Sequence, residues 1–278
     1  MKWYHLRAEL GNAEAQYNLA RCYYQGEGVK KDDTEAAKWC RKAAEQGDAD
    51  AQYNLATIFE NGTGVEKNNT EAAKWYLRAA EQGNVDAQFN LAICYEEGMG
   101  VEKDDAEAMK WYRKAAEQGD AGAQNNLGLC YDKGKGVEKN YIEAFKWYLK
   151  AAEQGEATAQ NNLGTFYDEG RGVEKNQTEA FKWYLKAAEQ GLDVAQHNLG
   201  VCYGTGIGVK KDYNEAVKWY LKAAEQGYAD SQYILGVYYE EGWGVNKNKA
   251  QAVEWYRKAA ASGDEDAKAA LKRLGVPK

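Results

Sequence analysis

The sequence predicts an all-α solenoid, a stack of helix pairs that repeat every 36 residues. Tryptophan and glycine each recur at this interval along the whole chain without a slip. The tryptophans are Trp3, Trp39, Trp75, Trp111, Trp147, Trp183, Trp219 and Trp255, and the glycines are Gly11, Gly47, Gly83, Gly119, Gly155, Gly191, Gly227 and Gly263. A fixed period of this length is typical of arrays in which each unit buries its apolar face against its neighbours. One proline beside twenty-nine glycines indicates short helices that end at glycine.

Each unit begins with a first helix, the A helix, of pattern AxAQYNLAxxYxxG. In the second unit Ala51, Leu55 and Phe59 share one side of this helix, which we predict to be buried. In the last four units the alanine after the leucine becomes glycine, at Gly128, Gly164, Gly200 and Gly236. Because glycine costs a helix about 1 kcal/mol, we expect a close approach there, to small residues of the second helix such as Ala144 or Ala180.

The second helix of each unit, the B helix, starts with the pattern of a capping box. The pairs are Asp32 with Glu35, Asn68 with Glu71, Asp104 with Glu107, Asn140 with Glu143, Asn176 with Glu179, Asp212 with Glu215, and Asn248 with Gln251. In such a box the cap side chain accepts a first-turn N–H, and the Glu or Gln reaches back to the cap N–H. We expect the B helix to end at the glycine of AAEQG and to bury its tryptophan.

The GxGV loops that follow the A helices are interpreted as helix stops. A nucleotide-binding loop follows a strand and opens directly onto a helix, whereas these glycines stand several residues before the B helix, and the valine is expected in the core. Trp243 lies in the last of these loops. It is expected either to be an exposed binding residue or to fold back onto the adjacent loop.

Four of the five cysteines occupy one row of the A helix, at Cys22, Cys94, Cys130 and Cys202. Other units place Ile58, Phe166 and Tyr238 in this row, which indicates apolar packing. Equivalent positions of adjacent units lie roughly 8–10 Å apart, beyond the reach of a disulfide. We therefore predict five free thiols, which favours a reducing compartment such as the cytoplasm.

One string of residues recurs in the units, and it runs from LG or LA of the A helix, through GxGV and the cap, to EAxKWYxKAAEQG. This string resembles the Sel-one-like repeat (SLR) family, which is related to the tetratricopeptide repeat. The resemblance covers residues 1–11 as a partial repeat, 12–263 as seven repeats and 264–278 as a C-terminal capping helix. It implies a right-handed α/α superhelix of tetratricopeptide type, and a scaffold or adaptor in protein complexes. The chain begins inside a repeat, and the sequence leaves open whether it is a fragment of a longer protein or an engineered array.

Composition argues against several other functions. A formal net charge of −7 and a pI near 5.2 disfavour a nucleic-acid partner, and the chain lacks the run of about 20 apolar residues that spans a bilayer. Histidine occurs only at His5 and His197, and serine only at Ser231 and Ser262, so neither a catalytic triad nor a metal cluster can be assembled. The sequence therefore predicts a monomeric protein that is not an enzyme and has no cofactor or metal.

The tetratricopeptide resemblance implies that the A helices line a concave, protein-binding face. Two polar and aromatic rows are expected there. The first row is Tyr17, Tyr53, Phe89, Asn125, Asn161, His197 and Tyr233, and the second row is Asn18, Asn54, Asn90, Asn126, Asn162 and Asn198. A third row holds Arg21, Thr57, Ile93, Leu129, Thr165, Val201 and Val237.

Two hypotheses remain open for the asparagine row. The carboxamides either contact the backbone of an extended peptide or hydrogen-bond the neighbouring A helix. Acids near the A-helix ends, interrupted only by Lys133, would form a rim that attracts a basic partner; they are Glu60, Glu96, Glu97, Asp132, Asp168, Glu169, Glu240 and Glu241. The alternative function is an architectural or engineered consensus-like array with no dedicated ligand.

Overall fold

A computed structural model describes residues 2–276, with side chains from residue 5 onward, and Trp3 therefore lies outside the described side chains. This part of the chain contains sixteen α-helices and no β-strand. It forms two compact units, Met1–Lys139 and Asn140–Lys278, and within each unit a helix packs mainly against the helices before and after it. The predicted all-α repeat solenoid is confirmed.

The helices of the first unit are α1 Lys2–Glu9, α2 Ala13–Gln25, α3 Asp33–Glu45, α4 Ala49–Asn61, α5 Asn69–Glu81, α6 Val85–Glu97, α7 Asp105–Glu117 and α8 Ala121–Lys133. Those of the second unit are α9 Tyr141–Glu153, α10 Ala157–Glu169, α11 Gln177–Glu189, α12 Asp193–Thr205, α13 Tyr213–Glu225, α14 Ala229–Glu241, α15 Lys249–Ala261 and α16 Glu265–Arg273. The even-numbered helices α2 to α14 are A helices, and the odd-numbered helices are B helices.

The caps explain why every full helix has the same length. Each B helix from α3 to α15 has its predicted Asp or Asn cap, and Asp32 accepts hydrogen bonds from the N–H groups of Thr34 and Glu35, both at 3.0 Å. Each A helix ends at a glycine in the left-handed region, such as Gly26 with φ 75°. A glycine adopts this conformation without a steric penalty, so it stops the helix.

The second half of the predicted capping box is wrong. The backbone N–H of Asp32 donates instead to the carbonyl of Tyr23 in the preceding A helix, at 3.0 Å. Glu35 is then free to accept from Lys38, one turn further along, at 3.0 Å. The A-helix carbonyl takes the place of the Glu because the GxGV turn brings the B-helix cap back against its own A helix.

The predicted buried side of the A helix is correct, but the GxGV valines are half-buried rather than in the core, and the reason for the helix glycines differs from the prediction. The A-helix leucines are completely buried, with Leu127 at 0% exposure. A Cβ built on Gly236 would lie 2.4 Å from the ring of Tyr256, and one on Gly164 would lie 2.7 Å from the ring of Tyr184. The close neighbour is therefore the tyrosine ring of the B helix rather than a small residue such as Ala180.

A buried glutamine of the A helix connects three helices at five junctions between repeats. The Nε2 of Gln52 in α4 donates to the carbonyl of Ala44 at the end of α3, at 3.1 Å. The Oε1 of Gln52 accepts from Nε2 of Gln82, which caps the end of α5, at 2.7 Å. Gln16, Gln88, Gln160 and Gln196 make the same pair of bonds. Each amide thus ties the B helices of two consecutive repeats to the A helix between them.

The second glycine of each GxGV loop lies against the preceding repeat. A Cβ on Gly64 would come within 2.1 Å of the carbonyl oxygen of Asp33, the first residue of α3. The loops are therefore packed turns, as predicted. Trp243 is 41% exposed and stacks on Tyr213, the first residue of α13, with ring centroids 5.6 Å apart.

The tryptophan row is only partly buried. Trp39, Trp75, Trp111 and Trp255 are at most 7% exposed, whereas Trp147, Trp183 and Trp219 are half-buried. A Lys or Arg three residues later covers the ring in every repeat, as Lys150 does over Trp147 at 4.0 Å. Each tryptophan ring therefore has a cation over its face, an arrangement that is electrostatically favourable.

Alanine substitutions test the difference between the buried and the half-buried tryptophans. Trp75→Ala should lower the free energy of unfolding by about 3–5 kcal/mol, because it leaves a closed cavity, and Trp147→Ala should cost clearly less, since part of that ring already contacts water. Urea denaturation of both variants measures the difference. Equal losses would contradict the burial pattern.

Candidate protein-binding surface

The structure places the first two predicted rows side by side on the A helices of each unit. Their side chains are half-buried, with two exceptions. Asn125 is 8% exposed and Asn161 is 7% exposed, so both belong to the interior. In the third row, Ile93, Leu129, Val201 and Val237 are half-buried apolar side chains. The A-helix surface of each unit therefore combines carboxamides, aromatic rings and an aliphatic strip.

The aromatic members of the first row are held by the B helix of their own repeat. The ring of Tyr53 lies 5.9 Å from that of Tyr76, and the ring of Phe89 lies 5.8 Å from that of Tyr112. Tyr233 makes the same contact with its B-helix tyrosine. Tilted ring pairs at these distances are favourable. The first row therefore presents ring edges in a fixed orientation.

His197 is the one imidazole in the first row. Its Nδ1 lies 2.9 Å from the hydroxyl of Ser231 in the next repeat, and its ring packs between Tyr220 and Tyr228. Burial lowers the pKa of His197, while Asp230 partly opposes this shift. The imidazole is therefore neutral at pH 7 and acts as a hydrogen-bonding ring.

The asparagine row links neighbouring A helices. Asn54 donates to the hydroxyl of Tyr17, in the preceding repeat, at 2.6 Å, and Asn198 donates to the Oδ1 of Asn161 at 2.9 Å. Asn90 donates to the hydroxyl of Tyr76, also in the preceding repeat, at 3.3 Å. Hydrogen bonding to a neighbouring repeat is one of the two roles that the sequence left open for this row. A carboxamide has two N–H donors and an acceptor oxygen, so one such bond still leaves hydrogen-bonding capacity.

The predicted acidic rim is largely neutralised. Glu96 pairs with Lys135 at 2.9 Å, and Glu240 pairs with Arg273 through both carboxylate oxygens at 2.6 and 2.7 Å. Glu169 likewise pairs with Arg171. The expectation that only Lys133 interrupts the acids is therefore wrong, because cations from the GxGV loops and from α16 reach the A-helix ends.

Two carboxyl groups of the rim show the effect of these cations. Burial opposes the ionisation of Glu96, but hydrogen bonds from Lys135 and Tyr112 outweigh it, and the pKa of Glu96 is lowered. The Arg273 guanidinium lowers the pKa of Glu240, with a second hydrogen bond from Tyr256. Of the predicted rim, Glu97, Glu169 and Glu241 are exposed at the surface.

No other cluster of the described residues suggests chemistry. Among residues 2–276 no group of three or more His, Cys, Asp or Glu side chains could hold a metal ion. The five cysteines are free thiols, and burial raises the pKa of Cys94 to about 11 and that of Cys202 to about 12. No helix in this range has the length and hydropathy needed to cross a membrane.

The asparagine bonds can be tested by their effect on stability. Asn198→Ala removes the donor to the buried Oδ1 of Asn161 and should lower the free energy of unfolding by about 1–3 kcal/mol. Asn214→Ala is the control, because Asn214 is an exposed asparagine on the B helix α13, and it should cost about 0.5 kcal/mol or less. Chemical denaturation of the two variants gives both values. Equal effects would exclude the inter-repeat role.

The comparison with protein families gives one clear match. The profile of the Sel1 repeat fits seven consecutive segments, residues 13–48, 49–84, 85–120, 121–156, 157–192, 193–228 and 229–264. No curated protein matches the chain at a significant level.

Two solved structures of the same repeat type are similar over nearly the whole chain. One is c5321, a protective antigen present in uropathogenic Escherichia coli strains and displaying an SLR fold. It is 42% identical with a TM-score of 0.90, and the match covers 98% of this chain and 58% of that one. A Sel1 repeat protein from Oxalobacter formigenes is 36% identical with a TM-score of 0.83, covering 98% and 79%. This chain therefore spans less than two thirds of the c5321 chain. With seven matched repeats and the helix-pair fold described above, the chain belongs to the Sel1 repeat family.

Proposed function

We propose that this chain is a protein-binding scaffold that holds an extended segment of a partner along the A-helix surface of its units. Sel1 repeat proteins are generally scaffolds for protein–protein interactions. The observation that carries the proposal is a contrast between the constant, buried positions of the A helix and the variable positions on its surface. The leucine and glutamine positions are the same in every repeat and buried, whereas the first and third rows change type and, apart from the buried Asn125 and Asn161, are half-buried or exposed.

The chemistry of the surface suits a peptide. In the first unit, Tyr53 and Phe89 offer aromatic edges, Asn54 and Asn90 offer amides, and Ile93 offers an aliphatic side chain. Carboxamides match the donors and acceptors of a peptide backbone, while rings and aliphatic groups match its apolar side chains. The remaining members of the proposed surface are Tyr17, Asn18 and Asn126 in the first unit, and Asn162, His197, Asn198 and Tyr233 in the second. The predicted members Asn125 and Asn161 are buried and are not part of it.

The charge of the chain favours a neutral or basic partner. The net charge is −7, which repels acidic proteins and polyanions over a distance of about one Debye length. Because rim acids such as Glu96 and Glu240 are paired within the chain, the steering comes from the overall charge and from exposed acids such as Glu97. Salt should therefore slow association only modestly.

The alternative is an array without a dedicated ligand. The observation that favours it is the asparagine row, since its hydrogen bonds between repeats give these residues a use in the absence of any partner. The two functions differ in one respect that can be measured. A binding surface on the A helices should be sensitive to a charge placed there and insensitive to the same charge on a B helix.

A peptide-display selection on the full chain supplies the ligands for this measurement. Ile93→Lys, on α6, should weaken the selected peptides by about tenfold or more, because it places a charge in an apolar contact. Leu77→Lys is the matched control, since Leu77 is a half-buried aliphatic residue on the B helix α5, and it should change the affinity by about twofold or less.

Circular dichroism of both variants confirms that the helices are retained. Peptides that respond equally to the two substitutions would contradict the A-helix surface. A selection that yields no binder would favour the architectural array.

A further inference from the structure

The first repeat lacks a tyrosine that the other repeats have. At the fourth residue after the B-helix alanine, six repeats carry a buried tyrosine, at Tyr76, Tyr112, Tyr148, Tyr184, Tyr220 and Tyr256, each at most 6% exposed. The equivalent residue of the first repeat is Cys40. Its thiol donates to the carbonyl of Ala51 at 3.3 Å, so it lies on the floor of the space that a ring would fill.

A cavity of about 270 Å³ occupies this position. Buried Ala20, Ala36 and Cys40 form its floor, and exposed Arg21 and Tyr24 stand at its mouth. A cavity of about 150 Å³ is enough to bind benzene, so this one has room for a substituted ring. It lies at the lower end of the size range of small-molecule sites, which fits a single side chain better than a cofactor.

The other repeats show what fills such a space. In the second repeat the Tyr76 ring packs against Tyr53, at 5.9 Å, and its hydroxyl donates to Glu60 at 2.5 Å. In the first repeat Tyr17 corresponds to Tyr53, so the ring that would contact the missing tyrosine is retained. The carboxylate is not retained, because Tyr24 corresponds to Glu60 and is 52% exposed.

The polar groups around the cavity favour a phenol ring over a plain phenyl ring. Asn54, Thr57 and Arg21 all line it, and a buried phenol hydroxyl needs a hydrogen-bond partner that a plain phenyl ring does not. Burial raises the pKa of Cys40 to about 12. The thiol is therefore neutral and behaves as an apolar floor rather than as a nucleophile.

We propose that this cavity receives a tyrosine side chain of the protein partner, which takes the place of the ring that the first repeat lacks. This inference rests on the proposed scaffold function, and it identifies one partner side chain as the anchor of the complex. The contact would lie on the A-helix surface of the first unit, since Tyr17 and Asn54 belong to both the cavity and the rows. An aromatic side chain in an enclosed pocket is the usual form of a binding hot spot.

The cavity can be tested without a partner by titrating p-cresol, which has the shape of a tyrosine side chain. The wild-type chain should bind one p-cresol with a dissociation constant on the order of 1 mM, which is reasonable for so small a ligand. Cys40→Tyr supplies the missing ring from within the chain, and it should weaken p-cresol by about tenfold or more. Protein-observed NMR or calorimetry measures both values.

Tyr76→Cys is the matched control. It reproduces the first-repeat arrangement in the second repeat and should create a second p-cresol site. If this variant does not fold, the comparison between the wild type and Cys40→Tyr decides alone, with circular dichroism as the check on folding. The assignment of the cavity would be overturned if p-cresol shows no saturable binding to the wild type, or if it binds Cys40→Tyr equally well.

Peptides selected on the wild-type chain test the role of the cavity in partner binding. Those that use the cavity should contain tyrosine, and they should lose about tenfold or more in affinity either on Cys40→Tyr or when that tyrosine is changed to alanine. Selected peptides that bind Cys40→Tyr unchanged, yet respond to Ile93→Lys, would refute the anchor and leave the scaffold function standing. A chain that binds p-cresol but no peptide would instead refute the scaffold function.

Discussion

The buried glutamine of each A helix is the interaction on which the rest of the structure depends. A helix pair of 36 residues cannot bury its apolar side alone, so consecutive repeats must stay in contact. Gln52 holds them together, because it donates to the carbonyl of Ala44 and accepts from Gln82. The last repeat shows what the pair requires. Ser262 replaces the partner glutamine there, and the Oε1 of Gln232 is buried without a hydrogen-bond partner among the described residues.

This internal support leaves the exposed positions free to vary. The leucines, the glutamines and the B-helix alanines set the spacing of the helices, so the first and third rows can change from tyrosine to asparagine or from threonine to valine without loss of the stack. In the first repeat a buried position varies as well, because Cys40 replaces a tyrosine ring there. This replacement leaves a cavity instead of a collapsed helix. A repeat scaffold acquires distinct binding features in this way, by local departures from a fixed interior.

The sequence predicted the features that recur within one repeat. The helix pairs, the Asp and Asn caps, the glycine stops and the leucine core all follow from the 36-residue period and from local rules of helix formation. It did not predict contacts between groups that are distant in the chain. Tyr256 over Gly236, Gln82 on Gln52, and Arg273 on Glu240 each join residues from different helices, and a single sequence does not show which helices face each other. The glutamine had one available signal, since a polar residue that recurs in all seven repeats, beside a buried alanine in six of them and beside Ser231 in the last, is expected to have a buried partner.

A double-mutant cycle on Gln52 and Gln82 tests this account most directly. Gln52→Leu, Gln82→Leu and the double variant are compared with the wild type by chemical denaturation, and Gln52 with Gln118 provides a control pair of the same residue types without a shared hydrogen bond. The account predicts a coupling free energy of about 1 kcal/mol or more for the bonded pair and additive effects for the control. A coupling below about 0.3 kcal/mol for Gln52 and Gln82 would show that the buried amides do not hold the repeats together.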